Sequence, residues 1–261
     1  VERQSRRLVE EMGSKQLEKE DMYKIVAEDV AVGQSTKKRP LDEVLNDLDA
    51  FVGMRTVKNL IRRLAVQSMF LKQRSESGIG KVKQMNMNFV LTGNPGTGKT
   101  SLARLMGELL QSMDILPSKN IIEVSRAQLV GKYMGETPKI VNKYCDQAMG
   151  GVLFIDEAYT LCNGGDDQYG HEAVDTLMRR MENDRGKFVV IIAGYKDRID
   201  AFLSENQGLA SRFTHKMNIE DYNEDELLAI IKKMAAQEDF VFEPSAEFKM
   251  MGVICQKVMT K

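Results

Sequence analysis

Residues 86–100 read NMNFVLTGNPGTGKT, a short apolar run followed by a glycine-rich loop. Residues 93–100 fit the pattern GxxxxGK[ST], after a predicted strand and before a predicted helix at 98–113. Glycine permits positive φ angles and a close approach of backbone to ligand, and a helix amino terminus attracts anions. The stretch therefore predicts a phosphate-binding loop.

We expect different residues of this loop to have different roles. We expect the Lys99 ammonium to reach the β and γ phosphates of ATP, and the Thr100 hydroxyl to ligate Mg²⁺. The alternative is a glycine-rich turn that binds no ligand. The residues expected to contact the nucleotide here are Asn94, Pro95, Gly96, Thr97, Gly98, Lys99, Thr100 and Ser101.

Two acids end a second apolar run, GVLFIDE at 151–157. Parallel strands place their carboxyl ends at the ligand crevice, so Asp156 is suited to hold Mg²⁺ and Glu157 to polarise the attacking water. Alone, such a pair can be a helix N-cap or a solvated turn. Because it follows a phosphate-binding loop, we interpret Glu157 as catalytic, together with Lys99.

Around these motifs, short apolar strands alternate with amphipathic helices. Strands are predicted at 86–92, 121–125, 151–156, 188–194 and 216–219, and helices at 98–113, 138–149, 171–183 and 197–203. Such alternation indicates an α/β fold with helices on both faces of a parallel sheet. We predict a three-layer P-loop nucleoside triphosphatase domain with a five-stranded parallel sheet. Two further helices, at 224–239 and 244–259, predict a partial helical lid.

The remaining segments set the predicted domain boundaries. Residues 1–32 have helical spacing of apolar positions, and 33–40 are polar with Gly and Pro, typical of a linker. Residues 41–72 are helical with a break at 51–53, and 75–83 are predicted to be a loop. The large ATPase domain is therefore predicted at 41–222 and the partial lid at 223–261.

Charge and cysteine content narrow the functional classes. The 37 Lys and Arg against 38 Asp and Glu leave a net charge of −1, which argues against a nucleic-acid partner. No apolar run approaches the roughly 18 residues of a membrane span, so no membrane partner is expected. Three widely spaced cysteines cannot all pair within the chain, which favours a reducing cytoplasm.

With these motifs the sequence resembles the AAA+ ATPases, in the branch that contains CbbX and stage V sporulation protein K. The resemblance covers about 41–261. It rests on GNPGTGKT, LFIDEAY and IIAGYKDRID, on LVGKYMGET at 129–137, on YGHEA at 169–173, on MEN at 181–183, on GLASRF at 208–213, and on the 41–58 segment. It implies a ring-forming, usually hexameric ATPase that uses ATP and Mg²⁺ and pulls on a protein substrate.

The resemblance also assigns residues by position. Phe51, Val52 and Gly53 match the segment that packs against adenine, with an ordinary helix break as the alternative. Lys132, Tyr133 and Met134 match the aromatic pore loop that grips a substrate chain; alternatively, Tyr133 packs on its own domain.

Arg212 matches the arginine finger that a neighbouring subunit inserts toward the γ-phosphate. The alternative is an ordinary surface or interface ion pair, and Arg198 is the second choice for the finger.

Two departures from the family pattern are visible. The fourth strand ends Ala193-Gly194-Tyr195 where many relatives have Asn or Thr, which leaves Tyr195 open as the γ-phosphate sensor. The chain stops at Lys261, before the third lid helix that carries a sensor Arg. Residues 3–8 and 24–30 resemble the end of such a lid, so we expect a slice of a tandem AAA+ protein. An unrelated helical extension is the alternative.

Three functions follow as hypotheses. The first is an ATP-driven protein-remodelling motor, and the second is an ATP-gated binding or scaffold module without significant turnover. The third is a DNA-directed loader, which the near-zero net charge disfavours. Nothing in the sequence names the protein substrate.

Overall fold

The computed structural model of this chain describes residues 38–77, 87–162 and 167–259. Contacts divide the chain into two units, residues 1–38 and 39–261. The predicted helical segment 1–32 lies outside the described residues, as does most of the predicted linker 33–40. The described helices and strands all belong to the second unit.

Five short strands form one parallel sheet in the order β2-β3-β4-β1-β5. The strands are β1 (Phe89–Thr92), β2 (Ile121–Val124), β3 (Val152–Ile155), β4 (Val189–Gly194) and β5 (His215–Asn218). The predicted five-stranded parallel sheet is confirmed. Because β4 lies between β1 and β3, the phosphate-binding loop and the acidic pair follow strands that are not neighbours.

Helices connect and cover these strands. Before the sheet come α1 (Leu41–Asp49) and α2 (Arg55–Glu76). Between successive strands along the chain come α3 (Lys99–Ser112), α4 (Arg126–Leu129), α5 (Thr137–Gln147), α6 (Gln168–Asn183), α7 (Lys196–Glu205) and α8 (Gln207–Ala210), with a 3-10 turn at Ala158–Leu161. The two helices predicted for the lid follow β5, as α9 (Glu224–Gln237) and α10 (Pro244–Met259).

Alternation along the strands separates two apolar cores. Val189, Ile191 and Ala193 of β4 pack with α1, α2 and α3 on one face of the sheet, whereas Val190 and Ile192 pack with α5, α6 and α7 on the other. Side chains of a strand point alternately to opposite faces, so a strand buried on both sides is apolar throughout. The three-layer α/β/α arrangement predicted from the sequence is confirmed.

Several boundaries differ from the predictions. Strand β1 starts at Phe89 rather than at 86; the side chain of Asn88 accepts the amide of Val190 at 2.8 Å. Helix α2 runs to Glu76, so the loop predicted from 75 was placed too early. Helix α6 starts three residues before 171, because the Asp167 carboxylate caps it through the Gly170 amide at 3.0 Å. The division at 222/223 stays a prediction.

Candidate nucleotide-binding site

The glycine-rich loop joins β1 to α3 at the carboxyl edge of the sheet. Gly98 adopts φ 89° and ψ 20° at the start of α3, in the left-handed region where a side chain is strained. A Cβ there would also lie 3.2 Å from the Met54 methyl. The Gly93 amide donates to the Gly194 carbonyl at 3.2 Å and so fastens the loop to β4.

The amides of this loop form a donor set that suits an anion. Within the described part of the chain, the N–H groups of Gly96, Thr97, Gly98 and Lys99 find no protein acceptor. Such unsatisfied donors at a helix amino terminus attract phosphate. A Cβ built on Gly96 meets no atom within 4 Å, so this side of the loop is open. The residues present therefore fit a nucleotide's phosphates.

Lys99 and Asn94 brace the loop from within. The Lys99 ammonium donates to the carbonyls of Gly93 at 2.9 Å and Asn94 at 2.8 Å, so it already lies over the loop. The Asn94 side-chain amide donates to both carboxylate oxygens of Asp221, at 2.8 and 3.0 Å. The loop is thus anchored at its start to the segment after β5.

The acidic pair follows β3 at the same edge of the sheet. Asp156 accepts the Glu157 amide at 3.0 Å, and Glu157 has φ 50°, which is strained for a non-glycine residue. Burial raises the pKa of Glu157, as does the Asp156 charge, whereas Lys99 and Arg198 lower it. These four residues therefore share one electrostatic environment, as expected of an active site.

The two residues predicted to ligate a magnesium ion both offer side-chain oxygens. Thr100 lies in the first turn of α3 and Asp156 directly follows β3. Residues 38–77, 87–162 and 167–259 contain no group of three His, Cys, Asp or Glu side chains that could hold a metal. A hydroxyl and a carboxylate suit Mg²⁺, which takes one or two protein ligands and completes its shell with phosphates and water. When bound, it would neutralise phosphate charge.

Beyond β4 the chain forms an aromatic cluster. The rings of Tyr195 and Tyr159 lie 6.1 Å apart, and the Arg198 guanidinium lies 5.4 Å and 5.1 Å from their centroids. A Cβ on Gly194 would come within 2.9 Å of the Tyr159 ring, which explains a glycine before Tyr195. The sensor role of Tyr195 stays a prediction; the packing of Arg198 against both rings was not foreseen.

The predicted adenine segment follows the carboxyl end of α1. Phe51, Val52 and Gly53 are each half-buried. Lys58 donates to the carbonyls of Asp49 and Phe51, and Lys233 of α9 donates to the carbonyl of Ala50 at 2.8 Å. Cations stabilise the carbonyl end of a helix. Burial lowers the pKa of Lys58. Lys58 belongs to the family segment at 41–58 but was given no role from the sequence, and Lys233 was not singled out.

The predicted pore loop is exposed. Tyr133 is 70% exposed and Met134 84%, so the alternative that Tyr133 packs on its own domain is wrong. The Glu136 carboxylate accepts the amides of Lys132 at 3.1 Å and Tyr133 at 3.2 Å. Thr137 accepts the amide of Gly131 at 3.1 Å. The loop is therefore held in shape from its own base.

Arg212 lies apart from the other site residues. It precedes β5, whose first residue pairs with Phe89 at the amino end of β1, whereas the phosphate-binding loop follows the carboxyl end. A strand of four residues spans about 13 Å. The Arg212 guanidinium donates to the Gly208 carbonyl at 2.6 Å and lies 3.5 Å from Glu182. An ion pair is thus present, as the alternative expected.

Sequence reasoning also missed Asp221 and Tyr222. The Tyr222 hydroxyl donates to the Thr97 carbonyl in the phosphate-binding loop at 2.9 Å. Both residues precede the capping box of α9, in which Asn223 and Glu226 satisfy each other's backbone amides. That N-x-x-E pattern is visible in the sequence, and it marks where the chain turns from the sheet into α9.

A glycine-rich loop between strand and helix, with acids after a nearby parallel strand, defines a P-loop nucleoside triphosphatase. The model of the "ATPase family associated with various cellular activities (AAA)" matches residues 89–221, and the chain belongs to this family. The fold is similar to that of the FIGL-1 AAA domain in complex with ADP, with a TM-score of 0.51, 19% identity, and 72% of this chain and 60% of that one covered.

Curated relatives agree with this family. The chain is 39% identical to stage V sporulation protein K of Bacillus subtilis over 80% of its own length and 65% of that protein. It is 41% identical to the ESX-1 secretion system protein EccA1 of Mycobacterium tuberculosis over 80% of its length and 37% of that protein. It is 44% identical to the ESX-3 secretion system protein EccA3 of Mycobacterium leprae over 79% and 32%. The chain thus spans about a third to two thirds of these relatives.

No helix of the described ranges 38–77, 87–162 and 167–259 has both the length and the apolar character needed to span a membrane.

Proposed function

We propose that this chain hydrolyses ATP with Mg²⁺ and uses the energy to remodel a protein substrate. The observation that carries the hydrolysis is that Lys99 begins α3 after β1 and that Asp156 and Glu157 follow β3, so both motifs lie at the carboxyl edge of the same parallel sheet. The loop amides and Lys99 hold the phosphates, and Glu157 accepts a proton from the attacking water. Its raised pKa suits this role, because a general base works best when its pKa lies near the working pH.

The second element of the proposal is that several chains assemble into a ring. From the family resemblance we expect this ring to be a hexamer. Arg212 lies at the sheet edge opposite its own phosphate-binding loop, which supports action on a neighbouring copy. An arginine supplied in this way stabilises the charge that develops on the transferred phosphoryl group. Before a neighbouring chain is present, the contact with Glu182 holds the Arg212 guanidinium in place.

A polypeptide is the proposed substrate because Tyr133 and Met134 are exposed side by side on a glycine-flanked loop. Aromatic and thioether side chains make adaptable contacts that do not depend on one sequence. We place the protein in the cytoplasm, where its three free thiols, Cys145, Cys162 and Cys255, would stay reduced.

Steady-state ATP hydrolysis tests the first element. We expect Glu157→Gln to bind ATP but to lose about 100-fold or more in rate, since general-base catalysis contributes at least that much. Glu205→Gln, an exposed carboxylate at the end of α7, is the matched control and should keep the rate. Equal rates for Glu157→Gln and the parent chain would refute the assignment. Tight ATP binding without turnover at any protein concentration would favour the scaffold function instead.

Two further measurements test the ring and the substrate. Sedimentation of Glu157→Gln with ATP should show a hexamer. Casein, an unstructured polypeptide, should stimulate ATP hydrolysis by the parent chain but not by Tyr133→Ala. A monomer under all conditions, or an unchanged response of Tyr133→Ala, would contradict these elements. Salt-dependent DNA binding with a steep slope would favour a DNA-directed loader.

A further inference from the structure

The hydroxyl of Tyr222, a residue distant in the sequence, contacts the phosphate-binding loop. It donates to the Thr97 carbonyl at 2.9 Å, and it would lie 3.6 Å from a Cβ built on Gly98. Tyr222 is half-buried, and burial raises its pKa, so the hydroxyl stays a donor over the physiological range. The neighbouring Asp221 accepts the side-chain amide of Asn94. Two consecutive residues, Asp221 and Tyr222, therefore hydrogen-bond to the loop at two points.

The bond to Thr97 also orients the donor of the next residue. The Thr97 carbonyl and the Gly98 N–H belong to one planar, trans peptide unit, so they point in opposite directions. Holding the oxygen toward Tyr222 turns the Gly98 N–H away from it. This N–H has no protein acceptor within the described part of the chain, and it belongs to the donor set that fits phosphate. Glycine at φ 89° leaves this peptide unit free to turn when nothing holds it.

The same short segment begins the first lid helix. Only Asn223, the N-cap of α9, separates Tyr222 from that helix. Farther along, α9 contacts the predicted adenine segment: Lys233 donates to Ala50, and a Cβ on Gly53 would lie 2.9 Å from the Glu226 carboxylate. Helix α9 and its N-terminal connection thus contact both the phosphate-binding loop and the predicted base-binding segment.

We propose that Tyr222 is a positioning residue for phosphate binding: its hydrogen bond to Thr97 directs the Gly98 amide toward the nucleotide and links the loop to α9. The inference rests on the proposed binding of ATP by this loop. Tyr222 does not touch the phosphates itself. It removes the freedom of one peptide unit, which the loop would otherwise have to lose on binding.

Calorimetric titration with ADP tests this without relying on hydrolysis. Tyr222→Phe keeps the ring and removes only the hydroxyl, so we expect ADP to bind about two- to tenfold more weakly, the effect of one neutral hydrogen bond. The matched control is Tyr169→Phe, a partly exposed tyrosine in the first turn of α6, which should leave ADP affinity unchanged. AMP, which lacks the β-phosphate, should lose less affinity than ADP.

The outcomes separate this inference from the proposed function. Equal ADP affinities for Tyr222→Phe and the parent chain overturn the inference, whether or not the chain hydrolyses ATP. Equal losses for ADP and AMP also overturn it, because they would indicate a general disturbance of the fold. A parent chain that binds ADP but never hydrolyses ATP fails the proposed function alone. A parent chain that binds no ADP overturns both.

Discussion

The carboxylate of Glu136 accepts the backbone amide of Tyr133 at 3.2 Å, and the Glu136 amide donates back to the Tyr133 carbonyl at 3.2 Å. This reciprocal pair closes the loop that presents Tyr133 and Met134 to solvent. A Cβ at Gly131, at the base of the loop, would lie only 2.6 Å from the Glu136 Cβ and 3.2 Å from its carboxylate. One acidic side chain thus fills the space inside the loop and satisfies its amides.

Removal of this carboxylate should uncouple polypeptide handling from hydrolysis. We expect Glu136→Ala to keep basal ATP hydrolysis within about twofold but to lose most casein stimulation, because the loop amides lose a charge-assisted acceptor. Hydrogen exchange at residues 132 and 133 should accelerate in the same variant. Glu136→Gln retains an oxygen acceptor and should restore most of the stimulation. A Gln variant as defective as the Ala variant would contradict a positioning role.

The separation of Arg212 from its own phosphate-binding loop predicts complementation between chains. Arg212→Ala and Lys99→Ala should each abolish most hydrolysis when pure. Mixed in equal amounts, they should regain part of it, because an intact loop in one chain can meet an intact arginine from another. Arg185→Ala, which removes an exposed arginine paired with the same Glu182, is the control and should hydrolyse ATP normally when pure. No recovery at any mixing ratio would argue against a finger.

A side chain at Gly98 should damage nucleotide binding more than the fold. Gly98→Ala forces a Cβ onto a backbone at φ 89°, which costs roughly 1–2 kcal/mol. We expect ADP affinity to fall about tenfold or more, and thermal unfolding to shift by about 2–8 °C. Gly252→Ala, on the exposed face of α10 with no atom within 4 Å of its Cβ, should instead stabilise slightly. Unchanged ADP affinity in Gly98→Ala would exclude a role for this loop geometry.

The thiol of Cys162 should react slowly at neutral pH. Burial raises its pKa to about 11, and the Asp167 charge adds to this effect. At pH 8 only about one thiol in a thousand is then ionised, and alkylation needs the thiolate. In a Cys145→Ala, Cys255→Ser chain, we expect the alkylation rate to rise about tenfold per pH unit from pH 7 to 10, as read by mass spectrometry.

The unfolded form of the same single-cysteine chain is the control for Cys162. Its thiol has an ordinary pKa near 8.5, so its alkylation rate should level off above about pH 9. A plateau at that pH in the folded chain would show that burial does not hold the proton on Cys162.

Sequence patterns predicted those parts of the site that are continuous in the chain. The glycine-rich loop carries its own strand and helix, and the acids at 156 and 157 follow an unbroken apolar run. Element boundaries were less exact where a side chain decided them. The Asp167 carboxylate caps α6 and so starts this helix earlier than predicted. Ahead of β1, the Asn88 side chain, rather than a strand carbonyl, accepts the amide of Val190. Neither effect shows in hydrophobic periodicity.

The sequence by itself determined the family pattern, the parallel sheet and the identity of Lys99, Asp156 and Glu157, since these depend on residue type and local spacing. Only the tertiary structure decided which distant residues meet. Tyr222 contacts a carbonyl 125 positions away, and Lys233 one 183 positions away. Such contacts depend on the strand order, which places β5 beside β1 and brings the start of α9 to the phosphate-binding loop. Local propensity carries no information about that order.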